Sequence, residues 1–250
     1  ISLSFWFIYN FDGDSPTGWN GLFKNGDSSN TLFLVYHHNT DHELRFSLAT
    51  AGGGTGFNTA ESGSWTTGAV YHAVFTYDGT TGKVYLNGSE QSSGTHSFPG
   101  NIKTVASQPF NIGAAVIPPD ASAVGSTTLD GDIQNVRVYN RALSATEVAT
   151  LYHRPWEGTN YGTLWPYSPP APADATLSTD TAATSLMNGC IGWWLLTDGS
   201  GSTATDVVGT NDGAESGTVG WVNSELGNAA SFDGVDDRFD LTTLGGHDAY

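Results

Sequence analysis

Turn punctuation constrains this chain most. Residues 69–94, AVYHAVFTYDGTTGKVYLNGSEQSSG, read as three strands broken by Asp78-Gly79 with Gly82 close behind, and by Asn87-Gly88. Asn-Gly favours a type I′ hairpin because both residues tolerate positive φ. Six Asp-Gly pairs, at 12, 78, 130, 198, 212 and 233, repeat the signal along the chain. With 32 glycines and 12% aromatic residues in 250, the pattern implies many short strands on tight turns around an aromatic core.

The remaining strand signals follow the same logic. ISLSFWFIY (1–9) is so rich in aromatic and β-branched residues that it reads as a strand buried on both faces. TLFLVYHH (31–38), ELRFSLAT (43–50), PFNIGAA (109–115) and LDGDIQNVRVYN (129–140) are further strands. One helix is signalled, by Ser144 and Glu147 in a capping box followed by Val148, Leu151 and Tyr152 on one face. It is expected to be a single-turn plug that Pro155 ends.

Residues 154–187 differ in kind. Five prolines (155, 166, 169, 170, 172) and a Ser/Thr/Ala run make a semi-rigid linker. Trp156, Tyr161, Trp165 and Tyr167 are unusual for a free linker and are expected to dock on a neighbouring surface. Strand signals resume at GCIGWWLL and run through GAESGTVGWV to AASFDGVDDRFDL.

Charge narrows the partners. The formal net charge is −17, with three Lys and five Arg, so the field repels phosphate backbones and anionic lipids and excludes nucleic acid as a partner. No apolar run approaches a membrane span, so no membrane insertion is expected. Cys190 is the only cysteine and reads as a small buried hydrophobe. The first residue is Ile, and this suggests either a removed leader or a window from a longer chain.

The quoted pieces YHAVFTYDGTTGKVYLNG, FNIGAA and LDGDIQNVRVYNRALSATEVATLY resemble the second half of a laminin G-like domain of the concanavalin A-like jelly-roll superfamily. NGCIGWWLLTDGSGSTATDVVGTNDGAESGTVGWV and GNAASFDGVDDRFDL resemble the first half of the same domain. The resemblance implies an all-β fold, an antiparallel jelly-roll β-sandwich with one short helix after the last strand of the first segment. Residues 1–153 would be its C-terminal portion, 154–187 a linker, and 188–250 its N-terminal portion.

That order leaves three arrangements open. They are closure of the chain on itself as a circular permutant, exchange of residues 188–250 with a neighbouring copy, and a window cut from tandem repeats. A half-sandwich alone would expose strand edges and one apolar face, so the halves must meet in cis or in trans. The linker could reach about 100 Å at ~3.1 Å per residue, more than closure in cis needs, which favours exchange. Ile1, Tyr250 and the four linker aromatics are then the candidate contacts between copies.

No catalytic constellation is present. The seven Glu (43, 61, 90, 147, 157, 215, 225) show none of the E-x-D-x-(x)-E spacing that hydrolases of this fold carry, and the histidines fall in no nucleophile or zinc motif. His72 is expected to pack in a central strand. Three regions gather oxygen ligands suited to calcium: Asp12 and Asp14; Asp198 and Asp206; and Asp233, Asp236 and Asp237. The resemblance implies calcium too, although Ile133-Gln134-Asn135 stands where such domains often carry I-D-D. Trp19, Trp65 and Trp221 lie near turns and are candidate sugar platforms, while Trp6, Trp193 and Trp194 are core candidates. Asn87-Gly88-Ser89 is a glycosylation sequon on a hairpin too tight to serve well.

The expectation is a non-catalytic building block of an extracellular filament, virion or cell surface, assembled head-to-tail from copies of itself. The alternative is a calcium-assisted carbohydrate-binding module with glycans as partners.

Overall fold

The computed structural model describes residues 1–10, 19–26, 31–38, 43–50, 55–60, 65–97, 100–102, 109–115, 128–153, 186–225, 227–241 and 244. The first segment contributes β1 (Ser2–Tyr9), β2 (Trp19–Gly26), β3 (Thr31–His38), β4 (Glu43–Ala49), β5 (Thr55–Ala60), β6 (Val70–Tyr77), β7 (Thr81–Leu86), β8 (Ser89–Ser97), β9 (Phe110–Ile112) and β10 (Asp130–Tyr139), then α1 (Ala145–His153). The second contributes β11 (Cys190–Trp194), β12 (Thr203–Ala204), β13 (Gly213–Ser216), β14 (Gly220–Ser224), β15 (Gly227–Asp233) and β16 (Arg238–Leu241).

These strands make two antiparallel sheets, and both sheets take strands from both segments. The first sheet runs β14-β15-β10-β1-β6-β7-β8, with β11 also on β10; the second runs β12-β13-β16-β9-β2-β3-β4-β5. β10 is the seam. Residues 130–133 pair with β15, residues 136–139 pair with β11, and β1 lies along the other side. A bulge at Asn135 (φ 52°) lets one strand serve two partners.

The core between the sheets follows from alternation. Leu3, Phe5 and Phe7 of β1 face Phe23, Phe46 and Phe110 of the second sheet. The second segment adds Trp194, Phe232, Phe239 and Leu241 to the same core, and Trp194 meets Phe110 at 5.6 Å. At about 25 cal/mol per Å² these large side chains make the two segments mutually dependent for burial.

β1 is buried on both faces, as its composition implies. Trp6 and Ile8 leave the main core and pack outside the first sheet with Tyr152 of α1. α1 is longer than a single turn. Its capping box is present: Ser144 N–H donates to Glu147 Oε2 at 2.8 Å, and Glu147 N–H to Ser144 Oγ at 3.3 Å. Glu147 also holds Arg141 at 2.7 Å. Val148 and Leu151 bury against Val74, Tyr85 and Tyr139, joined by Leu186, which the sequence had placed in the linker.

Asn87 (φ 48°) and Gly88 (φ 79°) form the expected hairpin turn. A Cβ on Gly88 would come within 2.9 Å of Tyr152, so glycine here also seats the helix. Asn87 Oδ1 accepts the His72 backbone N–H at 2.9 Å.

Candidate functional site

The turn joining β15 to β16 gathers three carboxylates at the rim of the sandwich. Gly234 (φ 75°) reverses the chain, and Asp233 Oδ1 accepts the Val235 N–H at 2.8 Å. Asp237 folds inward to 2% exposure, where its two oxygens accept Thr218 N–H at 2.6 Å and Asp233 N–H at 3.2 Å. A side chain at residue 217 would put its Cβ 2.6 Å from Asp237 Oδ1, so Gly217 (φ 86°) makes room for that carboxylate.

Asp233 and Asp236 stay exposed beside it, and one ligand oxygen from each of the three lies within 4.8 Å of the others. Asp130 stands opposite Asp233 in the strand register and adds a fourth acidic residue. Burial, then the charges of Asp233 and Asp236, push the Asp237 carboxyl above its usual range. A hard cation would relieve that repulsion and find only oxygen donors, so the residues fit calcium.

The other acidic candidates behave differently. Asp206 is buried and accepts three backbone N–H groups, from Trp193 (3.0 Å), Val208 (3.2 Å) and Asn211 (3.2 Å). It staples the loop rather than lining a rim. Burial pushes the Asp198 carboxyl up, and neither Asp198 nor Asp206 joins the trio. Asp12 and Asp14 lie outside the described residues.

The aromatic candidates are dispersed. Trp65 packs against Phe7 (5.9 Å), Tyr71 (4.7 Å) and His37 (6.3 Å), partly buried at the core margin. Trp221 on β14 donates its Nε1–H to Gly201 O at 2.9 Å and meets Phe239 at 6.2 Å. Trp19 opens β2 opposite His38. Trp6, Trp193 and Trp194 are all buried as expected, Trp194 in the core between the sheets and Trp193 outside the first sheet with the Arg137 guanidinium 3.9 Å above its ring. Trp156, Tyr161, Trp165, Tyr167 and Tyr250 lie outside the described residues. The Ile1 backbone nitrogen donates to Tyr77 O at 2.8 Å.

Four of the described glutamates, Glu43, Glu90, Glu147 and Glu215, already have work, and Glu225 is exposed. Glu43 pairs with Arg45, Glu90 with Lys83 and Tyr85, and Glu215 accepts Val219 N–H. An apolar gap between the sheets, lined by Ile1, Phe33, Val35, Phe46, Leu48 and Phe75, offers no charged group to orient a substrate. Cys190 is partly buried and its thiol is pushed up to about 11, the behaviour of a packing residue. No helix among the described residues is long and apolar enough to cross a membrane.

Sequence reasoning missed one constellation. On the outer face of the first sheet, His72, Gln134, Asn135 and Arg137 are buried polar residues, and Asn135 Oδ1 accepts Trp193 Nε1–H at 2.7 Å and Arg137 Nε–H at 3.2 Å. The only local hint was a run of polar residues inside a strand, Gln134-Asn135.

Comparison with known proteins agrees with this architecture. The profile of the concanavalin A-like lectin/glucanases superfamily matches residues 1–149. A proposed carbohydrate binding protein from Bacteroides ovatus is 14% identical, with a TM-score of 0.50 over 98% of this chain and 54% of its own. The heptameric SAP-like pentraxin of Limulus polyphemus is 18% identical, with a TM-score of 0.44 over 60% of this chain and 68% of its own. Trypanosoma rangeli sialidase is 22% identical, with a TM-score of 0.41 over 60% of this chain and 22% of its own. The chain thus spans about half of the Bacteroides protein and under a quarter of the sialidase. At these identities the likeness is one of fold. No curated protein matches at the sequence level.

Proposed function

Because the chain belongs to the concanavalin A-like lectin/glucanase superfamily, we propose that it is a non-catalytic, calcium-assisted carbohydrate-binding module working outside the cell or on a virion or cell surface. One observation carries the reading: Asp233, Asp236 and Asp237 converge on a rim turn, with the buried member strained by its neighbours' charge. Asp233 and Asp236 would hold the ion from the solvent side while Asp237 fixes the turn. A calcium ion supplies open oxygen-coordination positions, and sugar hydroxyls are ligands of that chemistry. The sandwich keeps the turn rigid through β15 on β10 and β16 on β9.

A glycan array run with and without a calcium chelator tests this. Binding that vanishes with chelator and in Asp233→Asn/Asp236→Asn is the expected result. Binding that survives both, or none to any glycan, contradicts it. A turnover screen on laminarin, agar and xylan should release no reducing ends.

A second reading is assembly. Residues 190–241 add strands to both sheets through β10 and β9, and a neighbouring copy could supply the same pairings. Such head-to-tail exchange is heterologous and would give rings or open fibres. Light scattering decides: a mass rising with concentration favours exchange, and a monomer at all concentrations favours closure within one chain.

A further inference from the structure

Outside the first sheet, opposite the main core, α1 closes over a buried imidazole. His72 is 1% exposed and stands opposite Trp6 in the β1–β6 register. Its Nε2 shares a hydrogen bond with Ser4 Oγ at 3.0 Å. The ring lies 4.8 Å from Trp6 and stacks at 5.9 Å on Tyr152, so the helix supplies one wall. Nδ1 is buried with no hydrogen-bond partner among the described residues.

The groups facing this ring come from four elements. β1 brings the Ser4 hydroxyl and the Trp6 ring, and β10 brings Arg137. α1 brings Tyr152 and His153, and the β7–β8 turn brings Asn87, already engaged with the His72 backbone. The charge-bearing groups that act on the ring, Arg137 and His153, are both cationic types. An imidazolium needs two acceptors, and the packed site gives it one hydroxyl and two like-charged neighbours.

We propose that His72 is an acid-sensitive latch, whose protonation releases α1 from the outer face of the first sheet. Lifting the helix removes Tyr152 and His153 together and lets water reach Nδ1. Burial, then Arg137 and His153, hold the packed imidazole's pKa down at about 3, against the ordinary 6.5. The sign follows directly. Above 6.5 the ring is neutral in both states and acidity changes nothing. As pH falls from 6.5 towards 3, the open state takes up a proton that the packed state refuses. The open population therefore grows roughly tenfold per pH unit. The module would loosen in a mildly acidic environment while its two sheets stay paired.

Amide hydrogen exchange on the intact chain, corrected for intrinsic rates, tests the latch between pH 7.5 and 5. Protection in α1 should fall roughly tenfold per unit below 6.5, while amides of β1 and β10 keep theirs. In His72→Gln the fall in α1 should disappear. In His153→Gln it should persist, because the packed ring's pKa, about 3 with His153 only its smallest cause, still lies well below this window. Should His72→Gln fail to fold, the ring resonance of His72 in the unaltered protein decides. A native ring that stays neutral above pH 4 fits the latch, and one that titrates near 6.5 in the packed state overturns it. Flat α1 protection, or α1 falling in parallel with β1 and β10, also overturns it.

Discussion

Two Asp-rich turns of the second segment look alike in sequence and behave as opposites in space. The loop around Asp206 directs backbone N–H groups at one carboxylate, so that residue is saturated by Trp193, Val208 and Asn211. The turn at 233–237 leaves two carboxylates in solvent and buries a third between a pair of N–H donors. The first reads Asp206-Val207-Val208-Gly209 and the second Asp233-Gly234-Val235-Asp236-Asp237. What separates them is where the neighbouring amides point: three inward N–H groups make Asp206 a structural cap, whereas at 233–237 a pair of them caps Asp237 alone and Asp233 and Asp236 stay exposed beside it.

Replacement of each carboxylate measures that difference. Asp206→Ala strands three backbone donors around a buried site and should cost about 3 kcal/mol in urea unfolding. A loss under ~1 kcal/mol would mean that the loop does not depend on this residue.

Asp237→Asn is intermediate. It keeps one acceptor and loses the other, but it also removes repulsion from Asp233 and Asp236, so the net loss should be about 1 kcal/mol at neutral pH. Its pH dependence is the sharper readout. The folded carboxyl has a pKa above the ordinary 3.8, so on raising the pH the unfolded chain releases its proton first. The contribution of this group is therefore present below 3.8 and is lost as pH climbs through the folded value. The stability difference between the unaltered protein and Asp237→Asn should therefore narrow as pH rises through that window. Parallel curves would contradict the assigned strain.

Asp233→Asn/Asp236→Asn should have the smallest effect on stability, within about 0.5 kcal/mol without calcium, because both side chains are exposed. A large loss would mean that they, like Asp206, are structural.

Much of the architecture was legible because it is local. The alternation of β1, β3, β4 and β6, the Asn87-Gly88 turn and the Ser144/Glu147 box each need only a few neighbouring residues. β2 was not legible: Trp19–Gly26 holds two glycines and a lysine, and a bulge sends the adjacent Leu22 and Phe23 both into the core, which breaks the two-residue period. The two Asp-rich turns could not be told apart, since their donors come from residues up to 19 positions away. His72 and Ser4 are 68 residues apart in sequence, so their pairing exists only once β1 and β6 align. Trp193 and Trp194 show the limit most simply: adjacent strand residues take opposite faces, and sequence alone does not say which one reaches the main core.

The most direct test of the account is a calorimetric calcium titration of the intact chain beside Asp233→Asn/Asp236→Asn, followed by urea unfolding of both with and without the ion. One saturable site is expected in the unaltered protein. A stability gain of about 2.7 kcal/mol should accompany it at calcium a hundredfold above the dissociation constant, with neither seen in the variant. No heat and no gain in the unaltered protein, or the same binding in the variant, would show that this turn is held together by its carboxylates and binds nothing through them.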